Sequence, residues 1–357
     1  MNESYRTNPF KKIRLIMPEA ILDKAIRRSM RLSLPKVKDP LNREKLLLIN
    51  RIQTIGRILV SDFRNYLRSI PDLKSLHEFY RSVLNIYSNL DDFKKTLGRI
   101  AGGIRVLEML TNRYIRDIRS IKRNPYLPNR VFIRHINKLW RQYLARIHSF
   151  IREISSAFHH TNEVIRKLRK LPDYDPELET VVVCGPPNSG KSSLVGKLSK
   201  ARVQIAEYPF TTKNLVFGHV EICSKPKKIL QIVDSPGLFD RPIEKRKKEE
   251  LLALQAIKTI ASGIIFLFDC SIERTLEADQ QLRVFDDVLR FMQTKKIVVC
   301  INKIDIADKT LHNKIYRGII HRTKIKPIPL SVKHNIGIDH LLEMLRELFG
   351  DADGSFC

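Results

Sequence analysis

An eight-residue loop of mostly small residues is the clearest candidate for chemistry in this chain. The segment Gly185–Ser192 reads GPPNSGKS, follows the apolar run Val181–Cys184 and precedes a helical pattern at 193–200. Glycines let a backbone approach phosphate oxygens closely, and the amides of a loop that opens a helix direct partial positive charge at them. The context therefore predicts a nucleotide phosphate-binding loop. The residues expected to contact the nucleotide are Gly185, Pro186, Pro187, Asn188, Ser189, Gly190, Lys191, Ser192 and Ser193.

Two side chains of this loop and a second motif have complementary roles around a phosphate. Lys191 is expected to bridge the β- and γ-phosphates, and the Ser192 hydroxyl is expected to ligate Mg²⁺. The second motif, Asp234-Ser235-Pro236-Gly237, follows the strand-like run Ile229–Val233. A carboxylate at that strand end holds Mg²⁺ through a water, so Asp234 is expected in the second shell of the metal. Gly237 has no Cβ, so its amide can reach the γ-phosphate.

Between these motifs lies a segment, Tyr208–Lys213, that reads YPFTTK. A hydroxyl in such a segment completes the Mg²⁺ coordination only while the γ-phosphate is present, which makes the segment a switch. Thr212 is the preferred Mg²⁺ ligand, and Thr211 is the alternative. The expected catalytic residues are Lys191, Thr212 and Gly237.

A third motif selects the base. Asn302-Lys303-Ile304-Asp305 follows the apolar run Ile297–Ile301. The Asp305 carboxylate can accept hydrogen bonds from N1–H and the exocyclic amine of guanine, whereas adenine would leave it unpaired. A site built on such bonds discriminates by roughly 10⁴–10⁵-fold. The Lys303 stem can lie over the base plane. Backbone amides of a later segment are expected near guanine O6, and its residues are Ser331, Val332 and Lys333.

The elements that must position these residues differ between the two halves of the chain. In the second half, short β-branched runs alternate with helical stretches, which predicts a mostly parallel sheet covered on both faces. The predicted strands are Val181–Cys184, Leu215–Glu221, Ile229–Val233, Ile264–Phe268, Ile297–Ile301 and Ile328–Leu330.

The first half has the periodicity of helices. Pro71 is expected to end one helix and Asp72 to cap the next. The pair Gly102-Gly103 weakens the helix predicted around it, because each glycine costs about 1 kcal/mol relative to alanine. Such stripes predict a bundle. They run from Leu48 to Ile70, from Leu73 to Tyr87 and from Ile136 to Leu168.

Charge also separates the halves. Residues 1–170 hold 37 Lys and Arg against 14 Asp and Glu, whereas residues 171–357 hold 28 against 24. Between Ile118 and Ile154 only Glu153 is acidic. This asymmetry indicates a polyanion partner, for which nucleic acid is the preferred interpretation, with a solvated helix exterior as the alternative. Trp140 and Tyr143 lie among these charges and are interpreted as core anchors rather than base-stacking residues.

The order GPPNSGKS, YPFTTK, DSPG, NKID and SVK resembles the Obg-like branch of translation-factor-related GTPases. The segments Asn8–Ile13 and Pro71–Tyr80 resemble the N-terminal helical domain of the Nog subfamily. The same holds for Asp92–Gly98 and for Leu171-Pro172. The resemblance implies an α+α/β fold, in which an N-terminal helical bundle precedes a P-loop GTPase domain with a mostly parallel, doubly wound sheet. It is closest to the short form without the long C-terminal extension of nucleolar members.

The expected organisation has four parts. Residues 1–170 form the basic helical domain, 171–180 a linker, 181–350 the GTPase domain and 351–357 a tail. The resemblance implies that GTP and GDP bind and that GTP is hydrolysed. Leu238 stands where Ras-like enzymes have a glutamine that orients water, so turnover is expected to be slow, on the order of 10⁻³ s⁻¹ or less. Asn188 matches an asparagine that helps to bind K⁺ in several such families, so K⁺ is a hypothetical second cofactor beside Mg²⁺.

The resemblance also implies a partner, the large ribosomal subunit or its precursor, contacted through ribosomal RNA and proteins. The alternative is an RNA-binding structural module that holds GTP or GDP without functionally important hydrolysis. No run of apolar residues reaches the length of a membrane span, and no apolar block follows the basic N-terminus. The five cysteines form no CxxC pair, so no zinc site is indicated. We expect a cytoplasmic protein that is monomeric when free and does not contact a membrane.

Overall fold

The computed structural model describes residues 8–34, 39–199, 204–206, 215–224, 227–235, 246–293 and 296–350. The predictions for Tyr208–Lys213, Gly237, Leu238 and the tail at 351–357 lie outside the described residues. In the described residues two compact units are found. The first, called the helical unit, comprises Phe10–Ser75 and Ser88–Lys167, and the second, called the sheet unit, comprises Leu76–Tyr87 and the chain from Leu168 onward, together with residues 8 and 9.

Five helices cover the first half of the chain, and capping residues explain where two of them begin. Helix α2 begins after Asp39, whose side chain accepts from Leu41 N, and Pro40 occupies its first turn, where a missing N–H costs nothing. Asn89 caps α4 in the same way by accepting from Asp91 N. The helices are α1 Pro18–Met30, α2 Pro40–Ser69, α3 Glu78–Tyr87, α4 Leu90–Ser120 and α5 Asn129–Leu168.

One local expectation for these helices was wrong. Asp72 does not cap a helix, because its carboxylate accepts from Lys74 N and Ser75 N in a turn. Helix α3 starts later, where His77 Nδ1 accepts from Phe79 N at 3.2 Å. The pair Gly102-Gly103 does not interrupt α4, because the missing side chain at Gly103 makes room for Ile154. Packing thus compensates for low helix propensity.

The aromatic residues among the basic charges belong to the core of the helical unit, as predicted. Trp140 is 9% exposed and Tyr143 is fully buried, with their ring centroids 6.3 Å apart. Phe63 and Phe158 pack with ring centroids 4.6 Å apart.

The predicted fold class is confirmed by the sheet of the second half. Seven strands lie in the order β2-β3-β4-β1-β5-β6-β7; the pairs from β4 to β7 are parallel, and β2-β3 and β3-β4 are antiparallel. The short strand β2 was not predicted. The strands are β1 Thr180–Cys184, β2 Gln204–Ala206, β3 Leu215–Ser224, β4 Lys227–Asp234, β5 Ala261–Asp269, β6 Ile297–Asn302 and β7 Ile328–Pro329.

Helices cover both faces of this sheet. Alternate residues point to opposite faces, so Ile265 and Leu267 of β5 join the core beneath α6 and α10, whereas Phe266 and Phe268 pack on Phe285 of α8. Helix α3 packs against α7 within this unit. The helices are α6 Lys191–Leu198, α7 Lys248–Lys258, α8 Ala278–Met292, α9 Lys309–Thr323 and α10 Ile338–Phe349.

Candidate nucleotide-binding site

The carboxyl ends of the parallel strands bring the predicted motifs to one edge of the sheet. Strand β1 ends at the Gly185 loop, β4 ends at Asp234, and β6 ends at Asn302. In an open parallel sheet the crevice outside these ends is where ligands bind. Topology therefore gathers residues that lie more than a hundred positions apart in the chain.

The loop between β1 and α6 requires glycine at two positions. Gly185 has φ +145°, and a Cβ there would stand 2.3 Å from Leu267 O. Gly190 has φ +96°, and a Cβ there would stand 2.5 Å from Asn302 Nδ2. Both the backbone conformation and the close neighbours exclude a side chain, so the loop can keep its backbone near a ligand.

Lys191 begins α6 and is only 7% exposed. Its ammonium donates to Gly185 O at 2.9 Å and to Pro186 O at 2.7 Å. A buried cation is tolerated because it is hydrogen-bonded. The loop carbonyls thus hold the charge beside the backbone that is predicted to wrap the phosphates.

Ser192 and Asp234 are brought together, as the metal prediction requires. The Ser192 hydroxyl donates to Asp234 Oδ2, and Asp234 is fully buried at the end of β4. A hydroxyl beside a carboxylate is a set of hard oxygen donors, which suits Mg²⁺ with the remaining positions filled by phosphates and water. The described residues contain no group of three or more His, Cys, Asp or Glu that holds a metal by itself. Mg²⁺ at this place stays a prediction, and the ion would need the further oxygens of phosphates or water.

Asn302 connects two loops. Its Nδ2 donates to Ser189 O at 2.8 Å, and its Oδ1 accepts from Val332 N at 3.1 Å. Asn302 is 2% exposed, so both bonds form away from solvent. In the structure its amide joins the phosphate loop to the Ser331–Lys333 loop, and the contact of Asn302 with the nucleotide stays a prediction.

Asp305 is oriented by a hydroxyl. Ser331 Oγ donates to Asp305 Oδ1 at 2.6 Å, and His334 Nε2 lies 3.6 Å from Asp305 Oδ2. The hydrogen bond from Ser331 lowers the pKa of Asp305 below its ordinary value, with smaller contributions from its own backbone and from the charges of His334 and Lys333. The group is thus ionised at neutral pH, which is the state that accepts from two guanine N–H donors.

Of the three amides expected near guanine O6, two are engaged within the protein. Ser331 N donates to Ile336 O at 3.1 Å, and Val332 N donates to Asn302 Oδ1. Among the described residues, the Lys333 amide has no such bond. The guanine contact of Ser331, Val332 and Lys333 stays a prediction.

Lys303 is fixed by residues that the motifs did not reveal. It has φ +65°, and its ammonium lies 2.8 Å from Asp269 Oδ2, a carboxylate that is 1% exposed. Asp269 in turn accepts from Ser271 N, and its backbone is held on both sides by the amide of Gln281. The only sequence signal for Asp269 was its place at the end of an apolar strand.

Comparisons with known proteins agree with this geometry. Residues 180–303 match a family model described as 50S ribosome-binding GTPase, and residues 10–175 match one described as NOG1 N-terminal helical domain. The chain belongs to the Nog-like GTPases. The helical region that precedes the sheet is thus the N-terminal domain typical of that family.

Individual relatives are similar in sequence to much of this Nog-like chain. An uncharacterised protein of Methanocaldococcus jannaschii is 30% identical over 86% of this chain and 83% of its own length. Nucleolar GTP-binding protein 1 of Saccharomyces cerevisiae is 26% identical over 80% of this chain, and that of Caenorhabditis elegans is 26% identical over 76%. The match spans only 43% and 38% of those two proteins.

A solved structure of a Plasmodium falciparum protein named nucleolar GTP-binding protein 1 is 30% identical and covers 50% of this chain and 89% of its own, with a TM-score of 0.43.

No helix in the described ranges has both the length and the apolar composition needed to cross a bilayer.

The remaining candidate of this Nog-like site is Asn188. It has φ +61°, and its Nδ2 donates to Thr275 Oγ1 at 3.2 Å. Its Oδ1 is the atom suited to a monovalent cation. The K⁺ role of Asn188 stays a prediction, as do the roles of Thr211, Thr212 and Gly237.

Proposed function

We propose that this chain binds GTP and hydrolyses it slowly, and that it acts as an assembly factor for the large ribosomal subunit. The observation that supports GTP is the network in which Asn302 joins the phosphate loop to the base loop while Ser331 orients Asp305. It sets the groups for phosphate and guanine recognition within one hydrogen-bonded frame.

The chain's own residues would act by position and charge. The Lys191 ammonium and the amides of Gly185–Ser192 stabilise charge that develops on the transferring phosphoryl group. Ser192 and Thr212 would hold Mg²⁺, with Asp234 acting through a bound water, and the ion would neutralise phosphate charge. Leu238 offers no group that orients water, which is the reason for slow turnover by the free protein. K⁺ at Asn188 or a ribosomal partner would supply the missing acceleration.

The partner is inferred from charge and from the relatives. The excess of cations in residues 1–170 suits ribosomal RNA. The GTPase family model is described as 50S ribosome-binding, and the relatives are named nucleolar. We therefore infer that the helical domain docks on ribosomal RNA and proteins. The cytoplasmic location, the monomeric state and the domain boundaries stay predictions for this chain.

Single-turnover hydrolysis tests the proposal. Full chain is loaded with GTP, and phosphate release is followed with and without purified large ribosomal subunits, in potassium and in sodium buffer. We expect slow release by the free chain and faster release with subunits. Absence of acceleration in both salts would favour the alternative, an RNA-binding module that holds nucleotide without useful hydrolysis. Equal rates in potassium and sodium would remove the K⁺ role alone.

A further inference from the structure

The connection between α4 and α5, with the first two residues of α5, is the longest exposed run in the part of the helical unit that the structure describes. All nine residues of Lys122–Arg130 are solvent-exposed. Its entry is nevertheless anchored, because Lys45 of α2 donates to Arg119 O and Ile121 O, each at 2.8 Å. The segment therefore projects from a fixed base.

Tyr126 lies at the centre of this connection and is 92% exposed. Among the large apolar and aromatic side chains that the structure describes, it is the most exposed, followed by Ile272 at 73%. Its backbone is held in place: Tyr126 N donates to Asn124 Oδ1 at 2.9 Å, and Leu127 N donates to Asn124 O at 3.2 Å. Prolines at 125 and 128 restrict the backbone further. The turn thus fixes the backbone of Tyr126, while its ring has almost no contact with the rest of the protein.

Basic residues flank Tyr126 in the sequence and have no acidic residue near them in the sequence. No acidic residue occurs from Ile118 to Arg152. In the part of the chain that the structure describes, none of four exposed basic side chains here forms an ion pair; they are Lys122, Arg123, Arg130 and Arg134. The last two lie four residues apart on α5, so they share one face of the helix. Charge that is left unpaired is available to an external anion.

We propose that this connection is a single-stranded RNA contact, in which an unpaired base stacks on Tyr126 while the flanking cations hold the adjacent phosphates. The inference rests on the proposed docking of the helical domain on RNA. It adds which segment contacts the RNA and that the contact is base stacking. A base carries a flat π-face on an anionic backbone, which matches an exposed ring among unpaired cations. A membrane would need more apolar surface than Tyr126 and Leu127 provide.

The burial of other aromatic residues in the helical unit supports this assignment. Trp140 and Tyr143 lie among the basic residues of α5 and are buried, so a base cannot reach them without unfolding the bundle. Phe132, between Arg130 and Arg134 on α5, is half-buried. Of the described Phe, Tyr and Trp side chains near these cations, Tyr126 is therefore the one that is exposed for stacking.

Binding of two RNAs by the full chain tests the mode. The probes are a labelled single-stranded oligouridine of about 12 nucleotides and an RNA duplex of the same length. Tyr126→Ala is expected to weaken binding of the single strand by about 5- to 150-fold, because one base loses its stacking partner. Tyr126→Phe should retain affinity, and duplex binding should change little, because paired bases are not free to stack. Met109→Ala, at a site 63% exposed on α4, is the matched control and should change neither.

The outcomes separate this inference from the proposed function. If the unmodified chain binds neither RNA at low salt, RNA docking and this contact fail together. If it binds and Tyr126→Ala binds the single strand equally well, the docking stands and the contact is overturned.

A crosslinking experiment distinguishes RNA from protein as the occupant. A benzoylphenylalanine is placed at position 126, and the full chain is irradiated with purified large ribosomal subunits. Crosslinks to RNA are the expected result. Crosslinks to ribosomal protein alone would overturn the RNA contact.

Discussion

In the sheet unit, polar side chains at the strand ends bond to one another, whereas in the helical unit the basic residues of the α4–α5 connection stand unpaired at the surface. Asn302, Asp305 and Lys303 each have a defined partner in another loop. Lys122 and Arg123 form no ion pair among the described residues. The core of the helical unit is built from apolar contacts such as Phe63 with Phe158.

The difference matches two kinds of ligand. A small rigid ligand is recognised by groups that already stand in place, because ordering them during binding would cost affinity. A flexible polyanion is bound mainly by available charge and by released counterions. The same chain therefore combines a preorganised site with a surface that stays open.

Replacing Asp305 should give the largest effect and tests the preorganised site. Asp305→Asn keeps an oxygen for the Ser331 hydroxyl but replaces an acceptor with a donor opposite guanine. Affinity for GDP should fall by roughly 10³-fold, since two hydrogen bonds to a charged group are lost. The amide should instead favour xanthine, whose C2 oxygen accepts. Calorimetric titration with GDP and xanthosine diphosphate measures both changes.

Asp339→Asn is the matched control for that experiment, because Asp339 is exposed in the first turn of α10 of the same unit. It should leave both affinities unchanged. Unaltered GDP binding by Asp305→Asn would contradict the assignment of the base site.

Two adjacent glycines of α4 test the helical unit, where shape rather than polar bonding is expected to decide stability. A Cβ at Gly103 would stand 2.0 Å from Ile154 Cδ1, whereas a Cβ at Gly102 meets nothing within 4 Å. Gly103→Ala should lower the free energy of unfolding by about 1–3 kcal/mol through overpacking. Gly102→Ala should raise it by about 0.5–1 kcal/mol through helix propensity. Urea unfolding of both variants measures the difference, and equal midpoints would show that the α4–α5 packing is loose.

Much of the sheet unit could be predicted from the sequence, because its information is local. A strand, a glycine loop and a helix follow one another at 181–200, and the motifs at Asp234 and Asn302 each follow an apolar strand. The order of the strands in the sheet was not predicted. The bounds of the strands differed from the prediction by a few residues only.

The partners of the site residues could not be predicted in this way. The bonds of Lys303 with Asp269, and of Asn302 with Ser189 and Val332, join positions far apart in the chain. No local pattern records such bonds. Tyr126 lies outside the apolar stripes of the sequence, in a local turn held by Asn124, so those stripes carried no information on its exposure.

Helix α3 lies in the first half of the sequence but belongs to the sheet unit. Its N-cap is His77, whose ring lies 4.9 Å from that of Tyr174. Burial lowers the pKa of His77, and this outweighs the opposing charge of Glu78. The folded protein then binds this proton less readily than the unfolded chain, so stability at α3 is present above the ordinary pKa near 6.5 and falls as the pH drops below it.

The smallest expected effect follows from this cap. Between about pH 7.5 and pH 5.5, hydrogen exchange of the α3 amides, corrected for intrinsic rates, should become faster. Protonated Nδ1 cannot accept from Phe79 N, so the helix start loosens. His77→Asn keeps an acceptor for that amide without a titrating group and should remove the dependence at α3. Burial also lowers the pKa of His219 on β3. This histidine is unchanged in the variant and provides the background pH dependence of the sheet unit. If α3 exchange keeps its pH dependence in His77→Asn, the cap is not its source.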